Sequence, residues 1–272
     1  MKMSKATRKT QIGYGKILTP SELGLLMGYL YGRRASALTG EPFDCQSPAA
    51  RRMTLIVQIL LNTGLRIGEL ARLRVRDTPV VIGENVIEVY RGKYDRDRTI
   101  PVSGQLAGAI GRYVRRDRPG TLPRWASPAD YSRPVFYSDR RRPYLQKVGV
   151  TMRCAKCGGG GCKRCGGRGR GRVQRRRAST TLNRMFAAIG GHAGLAKRLH
   201  PHMLRHTFAV LALGSDNIYQ VMLWMGHSDM KITAGYLHLV NRDVKAEGER
   251  LNFCFNGRFV GTNATNLQVM YT

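Results

Sequence analysis

Acidic residues are scarce in this 272-residue chain, which has 17 Asp and Glu against 46 Lys and Arg and therefore a formal net charge of +29. A chain with this excess of positive charge repels itself unless it binds a polyanion, so we expect a partner with a phosphate backbone. Hydrophobic residues make up 42% of the chain. That fraction is enough for a packed core and excludes a purely disordered basic tail.

Long apolar runs are also missing. The longest, such as Met53–Leu61, reach about half of the ~20 residues that a transmembrane helix needs. The basic start, MKMSKATRKT, lacks the apolar segment of a signal peptide. We therefore expect no membrane partner and a cytoplasmic, nucleoid-associated protein.

Cysteines are few, and four of the six lie within twelve residues, which is not a spacing that distributes disulfides through a protein of this size. In a reducing compartment such a cluster indicates a metal site. The cluster consists of two CxxC units, CAKCGGGG and CKRCGGRG, each similar to half of the zinc region of DnaJ-type chaperones. Four thiolates suit tetrahedral zinc and leave no open position for catalysis. We predict one structural Zn²⁺ on Cys154, Cys157, Cys162 and Cys165; the alternatives are free thiols, a redox pair or incidental cysteines in a disordered basic loop.

The cysteines lie within the densest basic block of the chain, since residues 140–177 contain 14 Lys and Arg and no acidic residue. We predict a zinc-binding basic insertion at residues 150–177 that lies on DNA. Its predicted DNA-binding residues are Arg164, Arg168, Arg170, Arg172, Arg175, Arg176 and Arg177.

Elsewhere the patterns predict a mainly α-helical chain with a small antiparallel β-sheet. A helix is expected to begin near Thr19. A three-stranded meander and a short β-like piece are expected to interrupt the helices. The other predicted helices are Arg51–Leu61, Arg66–Leu73, Leu106–Val114 and about 179–189, 202–213, 216–224 and 228–239; the predicted strands are Val80–Ile82, Val86–Tyr90 and Thr99–Val102, with the β-like piece at Pro134–Tyr137. Residues 1–18 are expected to form a basic arm, and residues 250–272 a tail without a clear period.

Six polar residues in otherwise apolar surroundings match the chemistry of displacement at a phosphodiester without metal. Two arginines can neutralise the charge that grows on phosphorus, and a histidine can donate a further hydrogen bond or assist proton transfer. A lysine on a hairpin can protonate the leaving 5′ oxygen, and a tyrosine hydroxyl can attack phosphorus to form a covalent ester. The six residues are Arg66, Lys93, His202, Arg205, His227 and Tyr236.

Their motifs, TGLRIGEL, GKYDRDRTIPV, HMLRHTFA and MGHSDMKITAGY, resemble the catalytic domain of the tyrosine recombinases, the phage-integrase family. The resemblance covers roughly Leu18 to Val240, apart from residues 117–178, and implies a catalytic domain at 19–249 that the insertion interrupts. It implies Tyr236 as the nucleophile, Lys93 as general acid, His202 as base or hydrogen-bond partner, and stabilisation of the transferring phosphate by Arg66, Arg205 and His227. It further implies a homotetramer on two paired double-stranded DNA sites, with neither ATP nor a catalytic metal.

One departure from the family concerns its usual N-terminal, helical core-binding domain. Only 65 residues precede Arg66, so we expect this domain to be missing or reduced to the basic arm, and an accessory DNA-binding protein is left open. Two other functions also stay open: a type IB topoisomerase-like enzyme, and a DNA-binding module with degenerate chemistry. We expect structural roles for His206 and His238.

Overall fold

The computed structural model describes residues 12–90, 97–120, 122, 126–138, 143–153, 157, 160, 162–163, 170–178 and 180–240; along 145–153 and 170–178, and at 180, the description is of the backbone. The helices are α1 (Pro20–Leu30), α2 (Pro48–Thr63), α3 (Ile67–Leu70), α4 (Pro79–Ile82), α5 (Gly104–Arg112), α6 (Pro128–Tyr131), α7 (Thr180–His192), α8 (Pro201–Leu213), α9 (Ile218–Met225) and α10 (Met230–Ala234). The strands are β1 (Val86–Val89), β2 (Arg98–Pro101), β3 (Leu145–Arg153) and β4 (Arg170–Ala178). Short 3₁₀ turns lie at Tyr14–Lys16 and Val75–Asp77, and a π-helical turn at Tyr113–Asp117.

Local capping chemistry sets the ends of the first two helices. Thr19 caps α1 in a capping box with Glu22, as its position before Pro20 predicts. Helix α2 is predicted at Arg51–Leu61 and extends further at both ends, because Ser47 caps its start and Pro48 fits the first turn. It ends at Gly64, whose φ of 59° is the left-handed conformation that glycine adopts at little cost.

The predicted three-stranded meander is wrong in its first strand. Val80–Ile82 belongs to the short helix α4, because Pro79 fixes a helical φ at the first position and lacks the N–H that a strand would donate. The other two strands are confirmed: β1 and β2 pair antiparallel, with Ile87 opposite Ile100. Both of these isoleucines are buried, so the small sheet covers the helical core with one face.

Several other boundaries differ from the sequence prediction. The helix expected at Arg66–Leu73 is only the single turn α3. The helix expected to end at Val114 leaves α-helical geometry after Arg112 and continues as the π turn. The β-like piece forms isolated bridges, Arg74 with Pro134 and Tyr137 with Pro143. The last predicted segment, 228–239, is α10, a turn at 235–236 and helical residues 237–240.

A long two-stranded ribbon, which the sequence analysis did not predict, occupies most of the basic block. Strands β3 and β4 pair antiparallel over nine residues each, from Leu145 opposite Ala178 to Arg153 opposite Arg170. The side chain of Tyr144, just before β3, is buried in the core. Strand β4 passes beside α3, so the ribbon begins next to the helix that follows Arg66.

The buried side chains form two clusters. The larger one joins α1, α2, the β1–β2 sheet, α5 and α7. The smaller one joins residues of α8 and α9 to Ile17 and Tyr236. Residues 12–18, expected as part of a basic arm, lie against this second cluster, with Ile12 N donating to Gly235 O (3.3 Å) and Leu18 N to Thr207 Oγ1 (2.9 Å). In the part of the chain that the structure describes, no helix is long and apolar enough to cross a membrane.

Candidate active site

Three consecutive carbonyls at the end of α9, referred to below as the α9 carbonyl cluster, each accept a hydrogen bond from a different arginine. The last carbonyls of a helix lack partners within it and hold a partial negative charge, so guanidinium groups both satisfy and neutralise them. The bonds are Arg98 Nε to Trp224 O (2.7 Å), Arg205 Nη2 to Met225 O (2.6 Å) and Arg66 Nη2 to Gly226 O (3.1 Å). One helix end thus holds three cations that come from α8, from β2 and from the start of α3.

Gly226 makes this close approach sterically feasible. Its φ of 60° is left-handed, and a Cβ at this position would lie 2.9 Å from Arg98 Nη1. Any other residue would therefore combine backbone strain with a clash against the guanidinium. The glycine before His227 is thus required for the position of Arg98 as well as for the turn.

A buried carboxylate, Glu69, pairs with two of these arginines. It accepts hydrogen bonds from Arg98 Nη2 (2.8 Å), from Arg66 Nη1 (2.9 Å) and from the Arg66 backbone N–H (2.8 Å). Burial alone would raise the pKa of Glu69, but the hydrogen bonds and charge of Arg98, together with those of Arg66, lower this pKa to about 2. Glu69 is therefore ionised and fixes the direction of both guanidinium groups.

Arg205 is the most deeply buried of the three cations, with 4% of its surface exposed. Besides Met225 O, it donates to Gly64 O at the end of α2 and to His227 Nε2 at 3.1 Å. Burial and the positive charge of Arg66 lower the pKa of Arg205 to about 9, so it stays protonated at neutral pH. It therefore joins the ends of two helices to the histidine.

The bonds of His227 define its tautomer. Nε2 accepts from Arg205, so the proton lies on Nδ1 and is donated to Thr233 Oγ1 at 2.9 Å. Burial and the charges of Arg205 and Arg66 lower the pKa of His227 to about 3. The ring is therefore neutral, and Thr233 of α10 fixes its orientation.

The hydroxyl of Tyr236 lies 2.7 Å from His206 Nδ1. Tyr236 is 2% exposed, and burial raises the pKa of its phenol although the charges of Arg205 and Arg66 oppose this. His202, one turn before His206 on α8, is exposed on the surface. The structure thus brings His206, rather than His202, to the tyrosine hydroxyl.

Four of the six predicted catalytic residues meet around the end of α9: Arg66, Arg205, His227 and Tyr236. Lys93 lies outside the described residues. Glu69, Arg98, Thr233 and the contact of His206 are not among the residues and contacts predicted from the sequence. A signal existed for Glu69, because it lies three residues after Arg66, the spacing at which a glutamate of the first turn accepts from the N-cap backbone N–H, as it does here. The other three lie within the quoted motifs but have no distinguishing pattern.

The predicted zinc ligands are only partly described. Cys157 and Cys162 are within the described residues, whereas Cys154 and Cys165 are not. Among the residues that the structure covers, no group of three or more His, Cys, Asp or Glu could hold a metal ion. Arg164 and Arg168 also lie outside the described residues, and Arg170, Arg172, Arg175, Arg176 and Arg177 are described in backbone only, along β4. The four-cysteine site stays a prediction.

Comparison with known proteins finds one family for most of the chain: the profile described as "Phage integrase family" matches residues 35–242. The tyrosine recombinase XerD of Lacticaseibacillus casei is 27% identical over 233 residues, which are 85% of this chain and 65% of the relative. The crystal structure of XerA recombinase is 25% identical with a TM-score of 0.55, covering 85% of this chain and 64% of that one. The Tn1549 transposon integrase in complex with transposon right end DNA has the same fold, at 22% identity and a TM-score of 0.52, covering 88% and 67%. The chain spans about half to two thirds of the length of the curated relatives it matches.

Proposed function

Because the chain belongs to the phage integrase family of tyrosine recombinases, we propose that it is a site-specific DNA recombinase or integrase. In this proposal Tyr236 attacks the scissile phosphate of double-stranded DNA, giving a 3′-phosphotyrosine and a free 5′ hydroxyl, and the reverse step rejoins the strand. The observation that supports it best is the convergence of Arg66, Arg205 and His227 at the α9 carbonyl cluster. The positive charges of Arg205 and Arg66 also act on the phenol of Tyr236. The curated relatives and solved structures described above are named as recombinases and integrases.

The buried guanidinium groups provide the electrostatic part of this chemistry. A pentacoordinate phosphorus gains negative charge on its nonbridging oxygens, and donors fixed before the reaction stabilise that charge without reorganisation. Arg205 and Arg66 are fixed by backbone carbonyls and by Glu69. His227 Nε2 accepts a hydrogen bond from Arg205, so the histidine is proposed to act on the phosphate through the position of that guanidinium. The exposed His202 is proposed as a hydrogen-bond partner of the DNA phosphate.

Lys93 is proposed as the general acid that protonates the leaving 5′ oxygen. It lies between β1 and β2, and β2 begins with Arg98, which contacts the α9 carbonyl cluster. Ester exchange conserves the energy of the phosphodiester bond, so the reaction needs neither ATP nor a catalytic metal. If Lys93 is the acid, a substrate with sulfur at the 5′ bridging position should rescue Lys93→Ala, because a thiolate leaves without a proton.

The direct test of the proposal is covalent trapping. Fragments of the DNA that flanks the coding sequence, nicked to prevent religation, should give a covalent adduct with the wild-type protein. Tyr236→Phe should bind the same DNA and give no adduct, because the attacking oxygen is gone while the arginines remain. Tyr219→Phe, which alters an exposed tyrosine of α9, is the matched control and should trap normally. Trapping by Tyr236→Phe would refute the assignment of the nucleophile.

We also propose a homotetramer on two paired sites. A plasmid with two copies of the trapped site should then give recombinant products that a plasmid with one copy does not give. Relaxation of a single supercoiled duplex without any requirement for a second site would instead indicate the topoisomerase-like activity.

For the insertion, we propose one Zn²⁺ on Cys154, Cys157, Cys162 and Cys165. The arrangement of the ribbon supports this, because β3 ends at Arg153, β4 begins at Arg170, and these two residues are partners. The residues that flank the 16-residue segment with all four cysteines are therefore adjacent to each other. Replacing Cys157 and Cys162 by serine should reduce the zinc content from about one per chain to none. Cys45→Ser is the control, since Cys45 lies in the loop before α2.

The ribbon itself is proposed to bind the DNA backbone, together with Arg164 and Arg168 of the segment that joins its strands. Register puts five cations on one face and two, Arg175 and Arg177, on the other. Like charges directly opposite each other destabilise a ribbon unless an anion neutralises them. A strand of nine residues, at a rise of about 3.3 Å per residue, also extends along roughly eight base pairs of DNA. The five are Lys147, Arg153, Arg170, Arg172 and Arg176.

This register provides a matched pair of variants. Each phosphate contact adds about 0.9 to the slope of log affinity against log salt. The triple variant Arg170→Ala, Arg172→Ala and Arg176→Ala should reduce that slope by up to about 2.7. The double variant Arg175→Ala and Arg177→Ala should reduce it less per charge removed. Equal loss per charge from both faces would contradict a one-sided DNA interface.

A further inference from the structure

His206 has the geometry of a proton acceptor for the tyrosine hydroxyl. Its Nδ1 lies 2.7 Å from Tyr236 Oη, and the two rings are 5.7 Å apart between centroids at an interplanar angle of 42°. Both residues belong to segments that are held in place. The hydrogen bonds of Arg205 anchor α8, which carries His206. Tyr236 itself packs in the second core cluster. The short contact therefore joins a buried tyrosine to a half-buried histidine of α8.

The protonation states fit a donor phenol and an acceptor imidazole. Burial raises the pKa of Tyr236, so its hydroxyl keeps the proton and donates it. Burial, and after it the charges of His202, Lys16 and Arg205, lower the pKa of His206 to about 4. The imidazole is therefore neutral, with a lone pair on Nδ1 and its proton on Nε2.

We propose that His206 accepts the phenolic proton as Tyr236 attacks the DNA, a role that rests on the recombinase function proposed above. In the forward step the O–H bond of Tyr236 breaks and the proton moves to His206 Nδ1, while Tyr236 Oη bonds to phosphorus. The bond from phosphorus to the 5′ oxygen breaks, and that oxygen keeps the electron pair and receives a proton from the general acid. In the rejoining step the imidazolium of His206 returns its proton to the departing phenolate.

Bound DNA would make His206 a stronger base. Among the charges that lower its basicity is the guanidinium of Arg205, which is also a proposed phosphate ligand. A phosphate anion at Arg205 offsets that positive charge and so favours the protonated imidazole. The proton would then move only when a phosphate occupies the site, which protects the buried tyrosine from ionisation in the absence of DNA.

Substitution by asparagine tests the proton transfer while preserving the packing. His206→Asn keeps an oxygen near the place of Nδ1, so it can accept the hydrogen bond but cannot take the proton. Single-turnover adduct formation on the nicked substrate should fall by about 10²-fold or more, the usual contribution of a general base. His238→Asn, two residues from the tyrosine, should react at the wild-type rate, and DNA affinity should be unchanged in both variants.

Replacing Tyr236 by an analogue with a more acidic phenol distinguishes a His206 that accepts the proton from a His206 that only positions the hydroxyl. Trifluorotyrosine incorporated at position 236 has a more acidic phenol than tyrosine, so its attack depends less on a proton acceptor. With this nucleophile, His206→Asn and His206 proteins should cleave at rates within a few-fold of each other. A defect that persists with trifluorotyrosine, or a His206→Asn protein that cleaves at the wild-type rate with ordinary tyrosine, would overturn the proposal. Absence of any adduct with the wild-type protein would refute the recombinase function itself, which is a different result.

Discussion

The most deeply buried arginine of the site, Arg205, donates to backbone carbonyls and a histidine rather than to a carboxylate. Arg205 uses three of its N–H bonds on Gly64 O, Met225 O and His227 Nε2. A lysine has the same charge and three N–H donors, but all three lie on one nitrogen, whereas Arg205 uses two separate terminal nitrogens of its planar guanidinium. The geometry of this residue therefore matters as much as its charge.

We accordingly expect Arg205→Lys to slow single-turnover cleavage nearly as much as Arg205→Ala, by roughly 10²–10³-fold, the usual loss for one transition-state donor. Arg66→Ala should cause a loss of the same order. Arg76→Ala, at an exposed arginine that pairs with Asp77, is the control. Near-normal cleavage by the lysine variant would mean that charge alone suffices at position 205.

Glu69 gives the protein a defined sensitivity to acid. Its pKa is about 2 against an ordinary value of 4.5, so its ionisation stabilises the folded state fully above pH about 4.5, and this stability is lost as the pH falls through 2. A shift of this size corresponds to about 3 kcal/mol. The free-energy difference between wild type and Glu69→Gln should therefore be constant near neutral pH and shrink as the pH falls from about 5 to 2.

Urea unfolding at a series of pH values measures this difference. Glu84→Gln, which alters an exposed carboxylate, should leave the unfolding free energy nearly unchanged at every pH. A difference between wild type and Glu69→Gln that did not vary with pH would show that the ionised state of Glu69 is unimportant for stability.

At the scale of elements, two glycines with left-handed backbone offer a matched comparison. A Cβ at Gly64 (φ 59°) would lie 2.3 Å from Phe208 Cδ1, whereas a Cβ at Gly83 (φ 82°) would meet nothing within 4 Å. Gly83→Ala should cost only the left-handed strain, about 1 kcal/mol. Gly64→Ala should cost a further 1–3 kcal/mol or so through overpacking, and should also slow cleavage because Gly64 O accepts from Arg205.

Denaturant unfolding and adduct formation together test this expectation. If Gly64→Ala lost no more stability than Gly83→Ala, the packing of Phe208 against the end of α2 would be unimportant. If it lost stability but cleaved normally, the contact of Arg205 with that helix end would be unnecessary for activity.

Periodicity and capping predict the helices of this chain better than its strands. The start of α1 follows from Thr19 and Pro20, and the apolar spacing locates α2, α7, α8 and α9. The β-branched run after Pro79 predicts a strand, but the proline fixes a helical φ and the run forms α4 instead. The β3–β4 ribbon has few apolar residues, and its strands exist through pairing with each other, which no local pattern reveals.

The candidate catalytic residues are easier to propose from the sequence than the contacts that hold them. Tyr236, Arg205 and His227 are recognisable because residue type and order suffice. The acceptors at Trp224, Met225 and Gly226 are main-chain oxygens, which every residue type has, so no residue pattern predicts these hydrogen bonds. The role of His206 depends on which of two histidines one turn apart faces the tyrosine, and only the packing of α8 decides that.

At the scale of the whole molecule, the first and last described segments meet at Tyr236, the proposed nucleophile. Ile17 is 4% exposed and packs in the same cluster as Tyr236, while Lys197 Nζ donates to Ile17 O at 3.0 Å. Ile17→Ala should therefore destabilise the fold by about 2–5 kcal/mol, and should lower the rate of adduct formation more than DNA affinity. Leu38→Ala, at a residue that is 67% exposed, should do neither.

Thermal or urea unfolding, together with trapping on the nicked substrate, separates the two effects of Ile17→Ala. A loss of stability with a normal trapping rate would mean that the segment before α1 supports the fold without affecting the nucleophile.

The α9 carbonyl cluster has a consequence for how related sequences can diverge. Every amino acid carries a carbonyl, so these three bonds place no demand on the residue types at positions 224 and 225. Inserting or deleting one residue within α9 would instead rotate its end by about 100° and move it by about 1.5 Å, and would misdirect three arginines together. Substitutions along α9 are therefore easier to accommodate than insertions or deletions. Variants with an altered length of α9 should lose activity even where every proposed catalytic side chain is retained.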